Sequence, residues 1–145
     1  MINQFKGDYR WLSNLYLCEV QFRGERYASV EYAYMSAKSD DPDWKQACAE
    51  AEVSQRKIKQ RSQELTLVPN WADIKLGVMR ECLASKFSQE PLKTWLLETG
   101  ALHLEEGNTW GDTFWGVDWE TGEGENNLGK LLMEIREELR AGGKG

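Results

Sequence analysis

The sequence predicts a mainly α-helical, compact single domain with a minor component of short strands and one hairpin. Three observations support this fold class. Apolar residues recur at helical spacing in residues 70–87 and 127–140. Capping residues precede most of the helical segments. The 145 residues are enough to bury one core, and no linker or internal repeat divides them. We therefore expect one domain over residues 1–145, with a flexible tail at about residues 141–145.

The strands are expected to be short. INQF and ALHLEE, at residues 2–5 and 101–106, are each predicted to form a strand. In VQFRGERYA, Val20 and Phe22 alternate with polar residues, and residues 23–25 can form a hairpin turn. The predicted β component is therefore one hairpin and two further short strands.

The first three helices begin at recognisable capping residues. Ser29 is the expected N-cap of a helix over residues 29–38. Asp41 is the expected N-cap of the next helix, with Pro42 at its first position. A shorter, strongly polar helix is predicted to begin near Ser54.

The later helices carry similar signals. Asn70 as N-cap and Asp73 at the third helical position start the longest helix. Pro91 and Gly100 mark the start and the end of another. The last helix follows Asn126 and places leucines and an isoleucine on one face.

The stretch SVEYAYMSAK places Glu31 and Lys38 seven residues apart in a segment that is otherwise mostly apolar. In a helix, residues at this spacing share one stripe, about 10 Å apart along the axis. Each has an ordinary explanation: Glu31 complements the positive end of the helix dipole, and Lys38 is a solvated residue near the C-terminus. These explanations leave open why the pair shares a stripe with Tyr34 and Met35. The alternative interpretation is that this stripe forms one wall of a pocket.

Residues 107–127 break the patterns of regular structure and are unusually long for a loop. Trp110, Trp115 and Trp119 either offer stacking surfaces for a base or fix the loop onto the core, and the residues alone slightly favour the second. Asp112 is either a partly desolvated acid suited to proton transfer or an Asx-turn residue. Turn aspartates are the more common of the two.

Other polar side chains also have alternative interpretations. Lys86 lies near the apolar face of its helix, so its ammonium either snorkels to solvent or points into a cleft. Asn126 is expected to cap the last helix, whose amide end can also hold a phosphate. A thiol nucleophile is not expected, since no histidine lies near Cys18, Cys48 or Cys82 in the sequence.

Composition excludes several functions. The net charge is −6 and no basic patch suits a nucleic-acid duplex, whereas a pocket for a free nucleotide needs only two or three cations. Three widely spaced cysteines and a single histidine argue against zinc and favour reduced thiols. No signal peptide or membrane span is visible. We expect a cytoplasmic protein with no membrane partner, no metal and no cofactor.

Several motifs occur in a fixed order: GDYRWLSNLY, FRGERYASVEYAYMSAK, NWADIKLGVMRECLASKF, LLETG, GDTFWG and GENNLGKLLMEIREEL. This series resembles the NADAR (NAD and ADP-ribose) or YbiA-like family along nearly the whole chain. The resemblance implies a mostly helical domain that cleaves N-glycosidic bonds. Two activities are implied: removal of the base from phosphorylated riboflavin-pathway intermediates, and removal of ADP-ribose from guanine in nucleic acid. The resemblance does not choose between them.

The resemblance also implies site residues, carried over position by position. Glu31 and Asp112 match the family's acidic positions and are expected to be catalytic. The positions that match its other signature residues, and are expected to bind substrate, are Ser13, Asn14, Lys38, Trp71, Lys86, Trp115, Gly116, Asn126 and Gly129.

The chain departs from the family pattern in places. Tyr32 stands where many relatives have histidine, and Ser36 where glutamine is common. The loop after Gly116 carries acids where relatives often have glycine or basic residues, namely Asp118, Glu120 and Glu123. These changes bear on substrate identity, above all for a polyanionic nucleic acid, and leave the two carboxylates intact.

We expect the carboxylates of Glu31 and Asp112 to converge in one cleft. Cleavage of a C1′–N bond builds positive charge on the ribose. Glu31 would stabilise that charge and activate water, while Asp112 orients the sugar or assists the leaving base; these roles are exchangeable.

The remaining residues of the mechanism would bind the substrate. Trp115 would stack on the base, while Lys38, Lys86 and the amides near Asn126 hold phosphate. A Schiff base at Lys38 ranks lower. The expected partner is a small nucleotide-like molecule, or ADP-ribosylated guanine in nucleic acid. A non-catalytic module for ADP-ribose or NAD is the main rival, and a protein-interaction domain without a ligand pocket is the third interpretation. The oligomeric state is not determined by the sequence.

Overall fold

The structure is a computed structural model that describes residues 1–142. A 3-10 helix at Gly7–Leu12 is followed in the described chain by six α-helices and four short strands. In chain order these are β1 (Val20–Phe22), β2 (Glu25–Tyr27), α1 (Val30–Ser36), α2 (Pro42–Glu50), α3 (Gln55–Ser62), α4 (Trp71–Lys86), α5 (Leu92–Glu98), β3 (Gly107–Asn108), β4 (Val117–Asp118) and α6 (Asn127–Gly142). The predicted fold class, mainly helical with short strands, is confirmed.

The backbone forms two compact units. One combines Met1–Ser13 with Phe87–Gly145, and the other is the continuous segment Asn14–Lys86. The expectation of one domain over residues 1–145 stays a prediction. Most of the tail that was expected to be flexible lies at residues 143–145, outside the described residues, while residues 141 and 142 belong to α6.

The Asn14–Lys86 unit begins with the predicted hairpin. Strands β1 and β2 pair antiparallel, with Val20 opposite Tyr27. Arg23 and Gly24 connect them with φ angles of 51° and 85°. Two consecutive positive φ values are the geometry of a tight two-residue hairpin turn, in which glycine is favoured.

Of the four N-caps predicted in this unit, those at Ser29, Asp41 and Ser54 are confirmed. Ser29, Asp41 and Ser54 each accept a hydrogen bond from a first-turn amide of the helix that follows, at 3.2, 3.0 and 3.3 Å. Helix α4 begins directly after Asn70, whose carbonyl accepts from the amide of Asp73 at 2.8 Å. Short polar side chains before helices therefore marked helix starts correctly.

Helix α1 is buried along its whole length but is shorter than predicted. It ends at Ser36, where side chains of α2 satisfy its last carbonyls. The indole of Trp44 donates to the Met35 carbonyl at 2.8 Å, and the Lys45 ammonium donates to the Ser36 carbonyl at 3.0 Å. Lys38 therefore lies in a turn beyond the helix, and the predicted helix over residues 29–38 is wrong at its C-terminal end.

In the other unit, the strands predicted at residues 2–5 and 101–106 are reduced to one parallel bridge between Ile2 and Leu104. The Ile2 amide donates to the His103 carbonyl at 2.9 Å, and the Ile2 carbonyl accepts from residue 105 at 2.8 Å. Pairing does not extend into a strand because the chain soon enters the 3-10 helix. That helix was not predicted.

The 3-10 helix is held by an aromatic anchor. Trp11 is buried and packs against Phe87 and Trp95, with ring centroids 6.3 and 5.8 Å apart. Its indole also donates to the Asp8 carbonyl at 3.0 Å. A tryptophan with a buried ring and a satisfied N–H can fix a short helix whose own hydrogen bonds are poor.

The segment at residues 107–127 is mostly irregular, as predicted, with one exception. Strands β3 and β4 form a two-residue parallel pair in which Gly107 lies opposite Val117. Helix α6 follows and buries the predicted apolar face through Leu128, Leu132 and neighbouring residues. Within residues 1–142, no helix is both long enough and apolar enough to cross a bilayer.

Candidate active site

Glu31 is a buried carboxylate in the first turn of α1, with 9% of its surface exposed. Its amide donates to the Asn14 carbonyl at 3.1 Å, which ties the predicted polar position at residue 14 to the predicted acid. The side-chain amide of Asn14 donates to the Met79 sulfur at 3.6 Å, while its Oδ1 is buried without a hydrogen-bond partner among residues 1–142. A buried carbonyl oxygen without a hydrogen-bond partner can accept from a substrate hydroxyl or from a water.

Lys38 remains close to Glu31 although α1 ends before it. Burial lowers the pKa of Lys38, and the negative charge of Glu31 opposes part of that shift by favouring the ammonium. The ammonium donates to Ser62 Oγ at 3.5 Å and lies 5.8 Å from the centroid of the Tyr34 ring. The charges of Glu31 and Lys38 therefore act on each other as their spacing suggested, although α1 ends at Ser36 and the two residues do not share one helical stripe.

Trp71 extends this group through an aromatic contact. Its ring is buried at the start of α4 and packs against Tyr34 with centroids 5.3 Å apart. The structure thus connects Asn14, Glu31, Lys38 and Trp71 within the Asn14–Lys86 unit. We call these four residues the α1 cluster.

The two positions on α1 that depart from the family pattern are bonded within the protein. The Tyr32 hydroxyl donates to the Val53 carbonyl at 2.7 Å. The Ser36 hydroxyl donates to the Ala33 carbonyl at 2.6 Å. Both substitutions therefore serve the packing of the helix, and neither removes the carboxylate of Glu31.

Lys86 is completely buried, with no exposed surface. The interpretation in which it snorkels to solvent is wrong. Burial lowers its pKa to about 8, partly opposed by Cys18, and its ammonium lies 5.6 Å from the centroid of the Tyr16 ring. Its predicted contact with substrate stays a prediction.

Asp112 forms the Asx turn that its position in a loop indicated. Its Oδ1 accepts from the amides of Phe114 and Trp115 at 3.2 and 2.9 Å. Asn108, which is 1% exposed, holds the same residue from the other side: its Nδ2 donates to the Asp112 carbonyl at 2.9 Å and its Oδ1 accepts from the Asp112 amide at 3.0 Å. Asp112 is therefore fixed by hydrogen bonds on both sides. The turn uses only Oδ1, so it does not prevent Oδ2 from contacting a substrate.

Asn108 is a residue that the sequence analysis missed. The sequence offered one signal for it, namely an asparagine four residues before an aspartate in a loop. Because an asparagine side chain can donate and accept at once, it can bond both the amide and the carbonyl of a nearby residue. Its Nδ2 also donates to Glu106 Oε2 at 2.9 Å, so a second carboxylate joins the network.

Gly116 and Gly129 occupy places where a side chain does not fit. A Cβ on Gly116 would overlap the carbonyl and carboxylate of Glu106. A Cβ on Gly129 would meet the Leu104 carbonyl and the side chain of Asn126. These glycines allow close approach of backbone segments in the loop, which is a packing reason for their place in the motif.

The tryptophans of the loop differ in exposure. Trp110 and Trp119 are 58% and 42% exposed, so the interpretation that all three fix the loop onto the core is wrong for these two. Trp115 is half-buried and meets the Phe114 ring edge-on at 4.9 Å. Its expected stacking on a base stays a prediction.

Asn126 directly precedes α6, but its side chain does not cap the helix. It donates to the Leu104 carbonyl at 2.9 Å and accepts from the Glu106 amide at 3.1 Å. The amides of residues 126–128 donate to carbonyls of residues 114–116 at 3.0–3.2 Å. These amides are occupied, so the structure does not support the expectation that they hold a phosphate.

Ser13 ends the 3-10 helix, where its amide donates to the Arg10 carbonyl at 3.0 Å. It belongs to the same unit as Asp112, whereas Asn14 and Glu31 belong to the other. The expected convergence of Glu31 and Asp112 in one cleft stays a prediction.

The cysteines are all free and all in the Asn14–Lys86 unit. Burial raises the pKa of Cys48 and of Cys82 to about 12, and it also raises that of Cys18. A thiol with a raised pKa is a poor nucleophile at neutral pH. The raised pKa values disfavour a cysteine nucleophile, and the absence of one stays a prediction.

Comparison with known proteins identifies the relatives of this chain. A model of the NADAR domain family matches residues 2–140. N-glycosidase YbiA of Escherichia coli is 34% identical over 136 residues, which cover 91% of this chain and 82% of the relative. The NMR structure of the E. coli protein YbiA matches with a TM-score of 0.83 at 29% identity, covering 99% of this chain and 89% of that one.

A longer relative is a riboflavin biosynthesis protein of Vibrio vulnificus, which is 36% identical over 132 residues. The match covers 90% of this chain but only 35% of the relative, so the chain spans about a third of that protein's length.

The fold and the relatives together define the class of protein, which is an enzyme of the N-glycosidase type. More narrowly, the chain belongs to the NADAR domain family, and the resemblance seen in its motifs is confirmed.

Proposed function

We propose that this enzyme hydrolyses the C1′–N bond between ribose and a base in a phosphorylated, nucleotide-like substrate. The buried carboxylate of Glu31 is the observation that carries the proposal. A carboxylate that is withdrawn from water acts on a developing positive charge more strongly than one in bulk solvent. The names of the relatives support the same bond type.

Glu31 is proposed to stabilise the oxocarbenium-like charge on the ribose and to deprotonate the attacking water. It lies in the first turn of α1, at the positive end of the helix dipole, and the positive charge of Lys38 acts on it from nearby. An ionised group is what both tasks require.

Asp112 is proposed to orient the sugar or to assist the departing base, and its role is exchangeable with that of Glu31. One oxygen is held by the turn amides, so Oδ2 would meet the substrate. Trp115 would stack on the base. The other positions carried over from the family are kept as proposed binding residues, including Ser13 and Trp71.

The substrate that we propose first is a pyrimidine ribosyl phosphate of the riboflavin-intermediate type. Riboflavin biosynthesis occurs in the name of the Vibrio vulnificus relative. The loop acids Asp118, Glu120 and Glu123 and the net charge of −6 disfavour a polyanionic partner, so ADP-ribosylated guanine in nucleic acid ranks second. The free thiols support a reducing compartment such as the cytoplasm.

The test is a side-by-side assay with both substrates, in which released base or ADP-ribose is separated by chromatography. We expect Glu31→Gln to slow base release by about 100-fold or more, because it keeps the shape but removes the charge. Glu81→Gln is the matched control, since Glu81 pairs with Arg23 on the surface, and it should leave the rate unchanged.

Two outcomes would contradict the proposal. One is a Glu31→Gln variant that releases base at the wild-type rate, with Asp112→Asn doing the same. The other is binding of ADP-ribose or NAD by calorimetry with no base released after long incubation, which would favour a non-catalytic binding module.

A further inference from the structure

The side chain of Asn108 bridges the two ends of the short loop segment that leads to Asp112. Its Oδ1 accepts from the Asp112 amide at 3.0 Å, and its Nδ2 donates to the Asp112 carbonyl at 2.9 Å. One buried side chain thus bonds both the donor and the acceptor of a single backbone residue, as a neighbouring antiparallel strand does.

The backbone between these two residues has little support of its own. Among residues 1–142, the backbone of residues 109–111 forms no hydrogen bond, and all three of these residues are exposed. Gly111, directly before Asp112, has a φ of 84°. Exposed backbone without internal hydrogen bonds opens at a low cost in free energy. The side chain of Asn108 therefore supplies the hydrogen bonds that fix Asp112 on this side of the loop.

Asn108 is itself held in place. It lies in β3 opposite Asp118, and its carbonyl accepts from the Trp119 amide at 2.9 Å. Its Nδ2 also donates to Glu106 Oε2 at 2.9 Å. A reversed amide would place Oδ1 against the oxygens of Glu106 and Asp112, so the orientation of the side chain is fixed by its partners.

The direction of the free carboxylate oxygen of Asp112 depends on two sets of hydrogen bonds. The Asx turn fixes Oδ1 relative to Phe114 and Trp115, which follow it. The bonds from Asn108 fix the backbone of Asp112 relative to β3, which precedes it. A reacting group misplaced by about 1 Å can cost about 100-fold in rate. Both sets of bonds are therefore needed to direct Oδ2 precisely.

We propose that Asn108 is a positioning residue for the reaction, which holds the backbone of Asp112 so that Oδ2 points to the sugar or to the departing base. Asn108 is not among the signature positions carried over from the family. That Oδ2 acts on a substrate rests on the proposed function, whereas the bridge between Asn108 and Asp112 does not.

The first test compares kcat and KM for release of the base from a pyrimidine ribosyl phosphate. We expect Asn108→Ala to lower kcat by about 10- to 100-fold and to change KM by less than about threefold, because a misplaced group acts mainly on the transition state. Melting temperatures check that each variant is folded. If Asn108→Ala is unfolded at the assay temperature, the milder Asn108→Ser takes its place, since one hydroxyl restores only part of the bridge.

A double-mutant cycle separates positioning from a purely structural role. If Asn108 acts through the carboxylate of Asp112, its substitution should lower kcat by less than about threefold in the Asp112→Asn background, because the group to be positioned is already lost. A purely structural role would lower kcat by the same factor in both backgrounds.

Asn127→Ala is the matched control. The Nδ2 of Asn127 donates to the Phe114 carbonyl at 2.9 Å, so this asparagine bonds the same loop but not Asp112. The Asn127 backbone amide donates to the same carbonyl at 3.2 Å and remains in the variant. We expect kcat to stay within about twofold of the wild-type value.

Amide hydrogen exchange gives a second readout that needs no substrate. The Trp115 amide donates to Asp112 Oδ1, so its exchange rate reports on the turn. We expect this rate to rise by about 10-fold or more in Asn108→Ala, because the loop then opens without breaking the bridge, and to stay unchanged in Asn127→Ala.

Three kinetic results would overturn the inference: a wild-type kcat in Asn108→Ala, an equal loss of kcat with and without the Asp112 carboxylate, or the same loss in Asn127→Ala. The proposed function fails separately. If the wild type releases no base from either substrate, the enzyme proposal is wrong, and exchange at Trp115 then decides whether Asn108 holds Asp112. Unchanged exchange in Asn108→Ala would show that it does not.

Discussion

The proton on Lys86 is held in a site without exposed surface, and this makes the stability of the fold depend on pH. Burial lowers the pKa of Lys86 to about 8 in the folded chain, against an ordinary value of 10.5. Between these two values the unfolded chain binds the proton and the folded chain does not. The folded state is therefore favoured progressively as pH rises through this range, and the cost of burying the charge is fully present below it.

Lys86→Met should remove this dependence. We expect the free energy of unfolding of the wild type to rise relative to that of the variant by about 3 kcal/mol between pH 7 and pH 10.5. Urea denaturation of both proteins at several pH values measures the difference. Parallel curves across this range would contradict a charge buried at Lys86.

Whether the role of a polar residue could be predicted from the sequence depends on how far along the chain its hydrogen-bond partners lie. Ser29 was found because a cap acts on its own helix, within three residues. Asn108 was not found because its partners are set by a loop conformation that the sequence does not show. Asn126 was misjudged for the same reason, since its side chain bonds across to Leu104 and Glu106.

At the scale of elements, the loop that holds Asp112 depends on close contact between two of its segments. The Val117 amide donates to the Glu106 carbonyl at 2.9 Å, and the Gly116 carbonyl accepts from the Asn126 amide at 3.1 Å. A side chain at residue 116 would be driven into Glu106. The glycine therefore allows the segments before and after the turn of Asp112 to meet.

Gly116→Ala should cost about 2 kcal/mol or more, because backbone atoms must move to admit one methyl group. Base release should fall as well, since Asp112 is held by the same loop. Chemical denaturation together with the chromatographic assay measures both effects. Wild-type stability in this variant would show that the loop has room which the structure does not indicate.

Gly77→Ala is the control for that substitution. Gly77 lies inside α4, and a Cβ there meets nothing within 4 Å. Since alanine is the better helix former, we expect this variant to gain about 0.5–1 kcal/mol. If Gly116→Ala lowers the free energy of unfolding while Gly77→Ala raises it, the steric effect at residue 116 is separated from the effect of helix propensity.

At the scale of the whole molecule, Cys48 and Cys82 report on opening of the fold. Both side chains are buried, and their pKa of about 12 leaves little thiolate at pH 8. We expect them to react with a disulfide reagent about 1,000-fold more slowly than ordinary thiols, and burial should slow them further. Cys18 is only half-buried and should react first.

The measurement is the rate of thiol labelling of the wild type and of Cys18→Ser. Both are labelled in buffer and in about 6 M guanidinium chloride, which unfolds the chain. The variant should show two slow thiols in buffer and two fast ones in denaturant. Rapid labelling of all three thiols in buffer would mean that the Asn14–Lys86 unit opens far more readily than its packing indicates.

The sequence by itself determined the helical character, the hairpin, three helix caps and the family, because these depend on neighbouring residues and on the order of motifs. The tertiary structure decided where α1 ends, since Trp44 and Lys45 of another helix satisfy its carbonyls. It also decided that Lys86 is buried. These depend on contacts between residues distant in the chain, and local patterns carry no information about the distances that such contacts require.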